Sequence, residues 1–132
     1  MQIRLTFMIL SFIFLSCAHR SLQLPEPTPS TTNASQVYII RESRFFGFGI
    51  SLKVVLDDAV ICKLRAGEYV TFAIEPGFHT LGLSESTLMV PFATKRKYYF
   101  LIKTSPDKFG FEIEKIDDGT GVYLISISKI LE

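Results

Sequence analysis

From Val37 onward apolar and polar residues alternate with a period of two, and turn-forming residues interrupt the alternation at intervals of roughly six to ten positions, the pattern of many short strands. Ile50, Leu52, Val54 and Leu56 alternate with Ser51, Lys53, Val55 and Asp57, which places one face of a strand on a core and the other largely in water. Asp57-Asp58-Ala59 is a turn, residues 60–65 return, and Ala66-Gly67-Glu68 turns again. Val70, Phe72 and Ile74 then line the inside of the next strand, which Pro76-Gly77 closes. Residues 78–83, 88–92, 97–104 (through Tyr98, Phe100 and Ile102) and a last run marked by Phe109, Phe111 and Ile113 complete the set. No helical stretch of about 10–15 residues separates any of these strands, so a parallel βαβ sheet is disfavoured. The expected fold is all-β, an antiparallel β-sandwich over residues 36–132. Residues 122–131 read equally as strand or short helix.

Twelve Phe and five Tyr supply the core material in a chain that has no Trp, and a charged fraction of 20% is that of an ordered domain and not a solvated chain. Acidic and basic residues nearly balance, with a formal net charge of +1, so there is no electrostatic footprint for nucleic acid.

The first sixteen residues differ in kind. Arg4 precedes an apolar run, residues 5–15, interrupted only by Thr6 and Ser11, which is the layout of a secretory signal. The run is shorter than the roughly 20 apolar residues a transmembrane helix needs. It ends at Phe14-Leu15-Ser16-Cys17, which resembles the lipobox of bacterial lipoproteins, where a small residue precedes the cysteine that becomes the lipid-bearing N-terminus. A thiolate is the nucleophile that takes the lipid, and Ser16 is small enough for the peptidase to close on the backbone. Phe14 and Leu15 depart from the usual outer positions of that motif; the alternative reading is a plain secretory signal cut near Ala18. The resemblance implies attachment to a membrane through acyl chains on Cys17, and Ala18 in place of an aspartate implies the outer membrane, facing the periplasm. At about 0.8 kcal/mol per buried methylene, two or three chains hold a protein permanently where one is marginal.

Residues 17–35 comprise this cysteine and a linker with Pro25, Pro27 and Pro29 on alternate positions and little apolar mass. The composition is that of a disordered Pro-rich tether, extended by about 3.1 Å per residue wherever polyproline conformation holds.

Within the domain, Val37-Tyr38-Ile39-Ile40-Arg41, Ser43-Arg44-Phe45-Phe46-Gly47, Leu52-Lys53-Val54-Val55-Leu56-Asp57 and Pro76-Gly77-Phe78-His79-Thr80-Leu81 occur in that order. The chain resembles a family of bacterial lipoproteins and secreted proteins known as domain of unknown function 2846, and the Pro-Gly-x-His-x-Leu element is similar to the PEGA repeat. The resemblance implies a prealbumin-like β-sandwich in the cell envelope and no known catalytic activity. Cys62 departs from it, standing where such proteins often carry a small residue.

Candidate functional residues are few. Cys62 is in phase with Val60 and Leu64 and should point inward as a small hydrophobe. With Cys17 acylated it has no disulfide partner. His79, out of phase with Phe78 and Thr80, lacks the companion ligands of a metal site. Asp57-Asp58 and Asp117-Asp118 read as turn residues whose carboxylates bond nearby amides. Lys95-Arg96-Lys97 is a basic turn between strands, able to touch anionic headgroups only modestly. Phe45, Phe46 and Phe48, among Gly47 and Gly49, break the alternation; they either plug one end of the sandwich or form an interaction surface.

No nucleophile elbow, phosphate loop or Ser-His-Asp grouping is present in the sequence pattern. The expectation is a lipid-anchored envelope protein, not an enzyme, with no cofactor and no metal. It would act as a binding or assembly module for an envelope protein partner, through a sheet edge or the loop at residues 45–49. A carrier of a small apolar ligand between the sheets is the alternative.

Overall fold

The computed structural model describes residues 33–43, 49–107 and 110–131. Among these described residues nine strands and one helix follow in order: β1 (Ser35–Arg41), β2 (Leu52–Leu56), β3 (Ala59–Leu64), β4 (Glu68–Ile74), β5 (Gly77–Leu83), β6 (Ser86–Phe92), β7 (Lys97–Thr104), β8 (Phe111–Ile116), α1 (Asp118–Ile127) and β9 (Lys129–Ile130). A five-stranded sheet, in the order β8-β7-β1-β4-β9, packs on a four-stranded sheet, β3-β2-β5-β6. The protein is an all-β sandwich, as its alternation predicts.

The alternation sets the layers. Val37 and Ile39 of β1, Val70, Phe72 and Ile74 of β4, and Phe100 and Ile102 of β7 face Val54, Cys62, Leu64, Leu81, Leu83 and Phe92 of the other sheet in one buried cluster. The ring of Phe92 meets Tyr98 edge to face at 4.8 Å and Phe100 at 6.1 Å.

The four-stranded sheet is antiparallel throughout, but the five-stranded sheet is mixed. β1 pairs with β7 in parallel, Gln36 opposite Lys97 and Arg41 opposite Ile102, and β4 pairs with β9 in parallel. Alternation does not reveal this, because parallel and antiparallel neighbours present the same faces to the core.

The ambiguous C-terminal stretch is a helix followed by a two-residue strand. Its propensities are poor, with Gly119 and Gly121 in the first turns and Val122, Ile125 and Ile127 β-branched. Local capping and tertiary packing override them. Asp117 is the N-cap: its Oδ2 accepts from the Thr120 amide at 2.9 Å and its Oδ1 from the Thr120 hydroxyl at 2.7 Å. Thus Asp117-Asp118 starts a helix where a simple turn was expected, through the same carboxylate-to-amide bonding. The helix lies on the outer face of the five-stranded sheet, where Tyr38 stacks on Tyr99 at 5.0 Å and Gly121 rests on the Tyr99 ring.

Candidate functional site

The register distinguishes the two ends of the sandwich. The chain enters at Ser35, whose hydroxyl donates to the Ala93 carbonyl at 2.5 Å and accepts from the Arg96 amide at 3.0 Å. The Lys95 amide donates to the Asn33 carbonyl at 3.2 Å. The basic run is therefore bound to the entry point, with Lys95 at φ 51 in the turn and Lys97 starting β7.

The same end holds the Asp57-Asp58 turn, both residues at positive φ (47 and 65), as a tight hairpin connection of the primed type requires. Asp57 Oδ1 accepts from the Thr80 amide at 2.9 Å, and Oδ2 lies 2.5 Å from His79 Nδ1. His79 Nε2 lies 2.9 Å from the Glu75 carbonyl oxygen. Burial alone would raise the Asp57 carboxyl, but the hydrogen bonds from His79 and Thr80 and the charge of His79 outweigh it and hold the group below its ordinary value. A histidine beside a carboxylate is the pairing of a base with its orienting group. Here the second ring nitrogen is already engaged by a backbone carbonyl, so the pair fastens the β2–β3 turn to the β4–β5 turn. His79 is on the inward side, with its ring 5.8 Å from that of Phe92, while Phe78 is exposed, as their opposite phase predicts.

The far end is built around Arg41, in the inward phase of Val37 and Ile39 and only 1% exposed. Its Nη1 donates to the Leu64 carbonyl at 2.6 Å and to that of Ile50, and its guanidinium lies 5.0 Å from the centre of the Phe111 ring. Burial lowers its pKa, and the negative charge of buried Glu68 acts in the opposite sense. Glu68 Oε1 in turn accepts from the Arg65 amide at 3.2 Å. Arg41 thereby joins β1 to the start of β2, the end of β3 and the start of β8.

Beside it a cavity of about 300 Å³ is lined by residues 51–53, 83–85 and 110–111. A second, of about 450 Å³, shares Glu85, Gly110 and Phe111 and extends along residues 105, 107 and 112. Together they form a cleft at the far end of the seam between β6 and β8, with Leu52, Leu83 and Phe111 as its apolar part and Lys53, Glu85, Asp107 and Glu112 on its rim. Such a cleft can hold a ligand or a partner's side chains through apolar contact with a few polar groups for orientation. Among the described residues no three or more His, Cys, Asp or Glu are grouped to hold a metal ion.

Of the residues singled out in sequence, Cys62 is fully buried and unpaired in the core, where loss of solvent and the charge of Glu68 push its thiol up to about 12. Cys17 and the aromatic residues Phe45, Phe46 and Phe48 lie outside the described residues. Sequence reading missed Arg41 and Glu68. The signal was parity: each occupies an inward position of its strand, Arg41 after Ile39 and Glu68 before Val70.

No protein-family model, curated protein or solved structure matches this chain.

Proposed function

We propose that this protein is a lipid-anchored component of the bacterial cell envelope, held by acyl chains on Cys17 in the outer membrane and facing the periplasm. It acts as a non-catalytic binding or assembly module of the domain of unknown function 2846 type. The supporting observation is the division of the sandwich into two ends: the chain from Cys17 enters at Ser35, and the cleft beside Arg41 opens at the opposite end. That leaves the cleft remote from the point of attachment and accessible to an envelope partner. Among the described residues the groups that catalysis would use have other partners: Cys62 is in the core, both nitrogens of His79 face acceptors, and Asp117 caps a helix. The space between the sheets is filled by Phe72, Phe92, Tyr98 and Phe100, which favours binding at the end over carriage of an apolar ligand inside.

The test is intact mass and membrane partition of the full-length protein expressed in bacteria, beside Cys17→Ser. The expected result is a mass of residues 17–132 plus acyl chains, with partition lost in the variant. An unlipidated wild type in the soluble periplasmic fraction would sink the anchor and favour a diffusing carrier.

A further inference from the structure

α1 is apolar around most of its circumference yet covered on one side only. Gly121 is buried against Tyr99, whereas Val122, Tyr123 and Ile127 are 58%, 62% and 64% exposed and Ile130, just beyond, is 49% exposed. A helix with apolar residues on all sides is normally buried on all sides. No charged residue lies between Asp118 and Lys129. Part of the C-terminal turn, whose carbonyls a helix ordinarily gives to water, is met from within. Ser126 Oγ donates to the Tyr123 carbonyl at 2.5 Å, Ser128 Oγ to that of Leu124 at 2.7 Å, and the Ser128 amide to that of Ile125 at 3.1 Å. The outward face thus has apolar side chains, and the Tyr123, Leu124 and Ile125 carbonyls beside them are engaged within the chain.

We propose that this face rests on the lipid bilayer in which the chain is anchored, with the five-stranded sheet turned toward the membrane. The inference rests on the reading that Cys17 carries lipid. The chain runs 18 residues from Cys17 to Ser35, a reach of at most about 60 Å, and enters β1, the strand whose Tyr38 stacks on Tyr99 beneath the helix. A tether of this length keeps the helix at high effective concentration against the bilayer, so a contact that a free protein makes only with excess lipid is enough to orient a tethered one. Tyr123 is suited to the headgroup level, with an apolar ring and a polar tip. Because the helix has no Lys or Arg, the contact is apolar and insensitive to salt. The cleft beside Arg41, at the end of the sandwich, stays clear of the bilayer in this orientation.

The chain has no Trp, so Tyr123→Trp creates a single reporter, and Met89→Trp, at an exposed position on the outer face of the other sheet, is its control. Each full-length lipidated variant is reconstituted into phosphatidylcholine vesicles with and without brominated acyl chains. Severalfold stronger quenching at position 123 than at 89, unchanged by half-molar salt and lost in Tyr123→Trp/Ile127→Asp, is the expected result. Equal quenching at the two positions, in protein that floats with the vesicles, would overturn the docking and leave the anchor standing. If the protein does not float, the anchor reading fails. The Cys17→Ser form with excess vesicles then decides the docking: selective quenching at 123 upholds it, and none overturns it.

Discussion

Gly121 of the helix lies flat against the ring of Tyr99, so close that a Cβ at this position would overlap the ring. This contact seats α1 on the sheet, since Gly121 is the buried residue of the helix. Gly121→Ala gains up to about 1 kcal/mol in intrinsic helix propensity. Displacing the ring, which is itself stacked on Tyr38, costs about 1–3 kcal/mol, so the balance is destabilising. Urea denaturation is expected to show a lower midpoint for Gly121→Ala, whereas Gly119→Ala, whose Cβ would meet only the Asp117 carboxylate, should be milder. A higher midpoint for Gly121→Ala would show that the helix is not seated on this ring.

Arg41 is the next point of sensitivity. Arg41→Ala takes the donor from the Leu64 and Ile50 carbonyls and removes the positive charge near Glu68, so a loss of about 3–5 kcal/mol is expected. Arg41→Lys should fall between, because an ammonium keeps the charge but lacks the planar fork and the stacking on Phe111. Chemical denaturation of the three proteins measures the order; equal stability of wild type and Arg41→Ala would show that the far end does not depend on this side chain.

The Asp57 carboxyl is held below its ordinary value by the balance of burial, the largest single effect, which raises it, against the combined effects of His79 and the Thr80 amide. A folded pKa below the unfolded one, about 3.9 for aspartate, means stability that is present above that value and lost as pH falls through the folded pKa. The carboxylate is half exposed, so the effect is screened and small. Thermal melts from pH 6 down to pH 2 should show wild type losing stability more steeply below about pH 4 than Asp57→Asn does. Parallel profiles would exclude a contribution from this carboxylate.

Cys62, with its thiol raised to about 12 and no exposure, is expected to be inert in the native state. In a Cys17→Ser background, iodoacetamide at pH 8 should label the thiol only as fast as the domain unfolds, and completely in denaturant. Rapid labelling without denaturant would mean that the core opens at β3.

Alternation alone placed Val54, Leu56, Val70, Phe72 and Ile74 on the core side and Cys62 inward, because a strand's side chains take opposite faces whatever its neighbours are. The same parity holds for Arg41 and Glu68, but composition masks it, since charged residues are almost never fully buried unless paired. The carbonyls that Arg41 meets come from the end of β3 and the loop before β2, which only the tertiary fold brings to it. Strand neighbours, the parallel pairing of β1 with β7, and the choice of helix for residues 118–127 were settled by long-range packing. A chain that locally suits neither helix nor strand takes the form in which Gly121 meets Tyr99. The cleft belongs to the tertiary structure as well: Lys53, Glu85 and Phe111 lie on three separate strands and turns, and only sheet order and register bring them to one end.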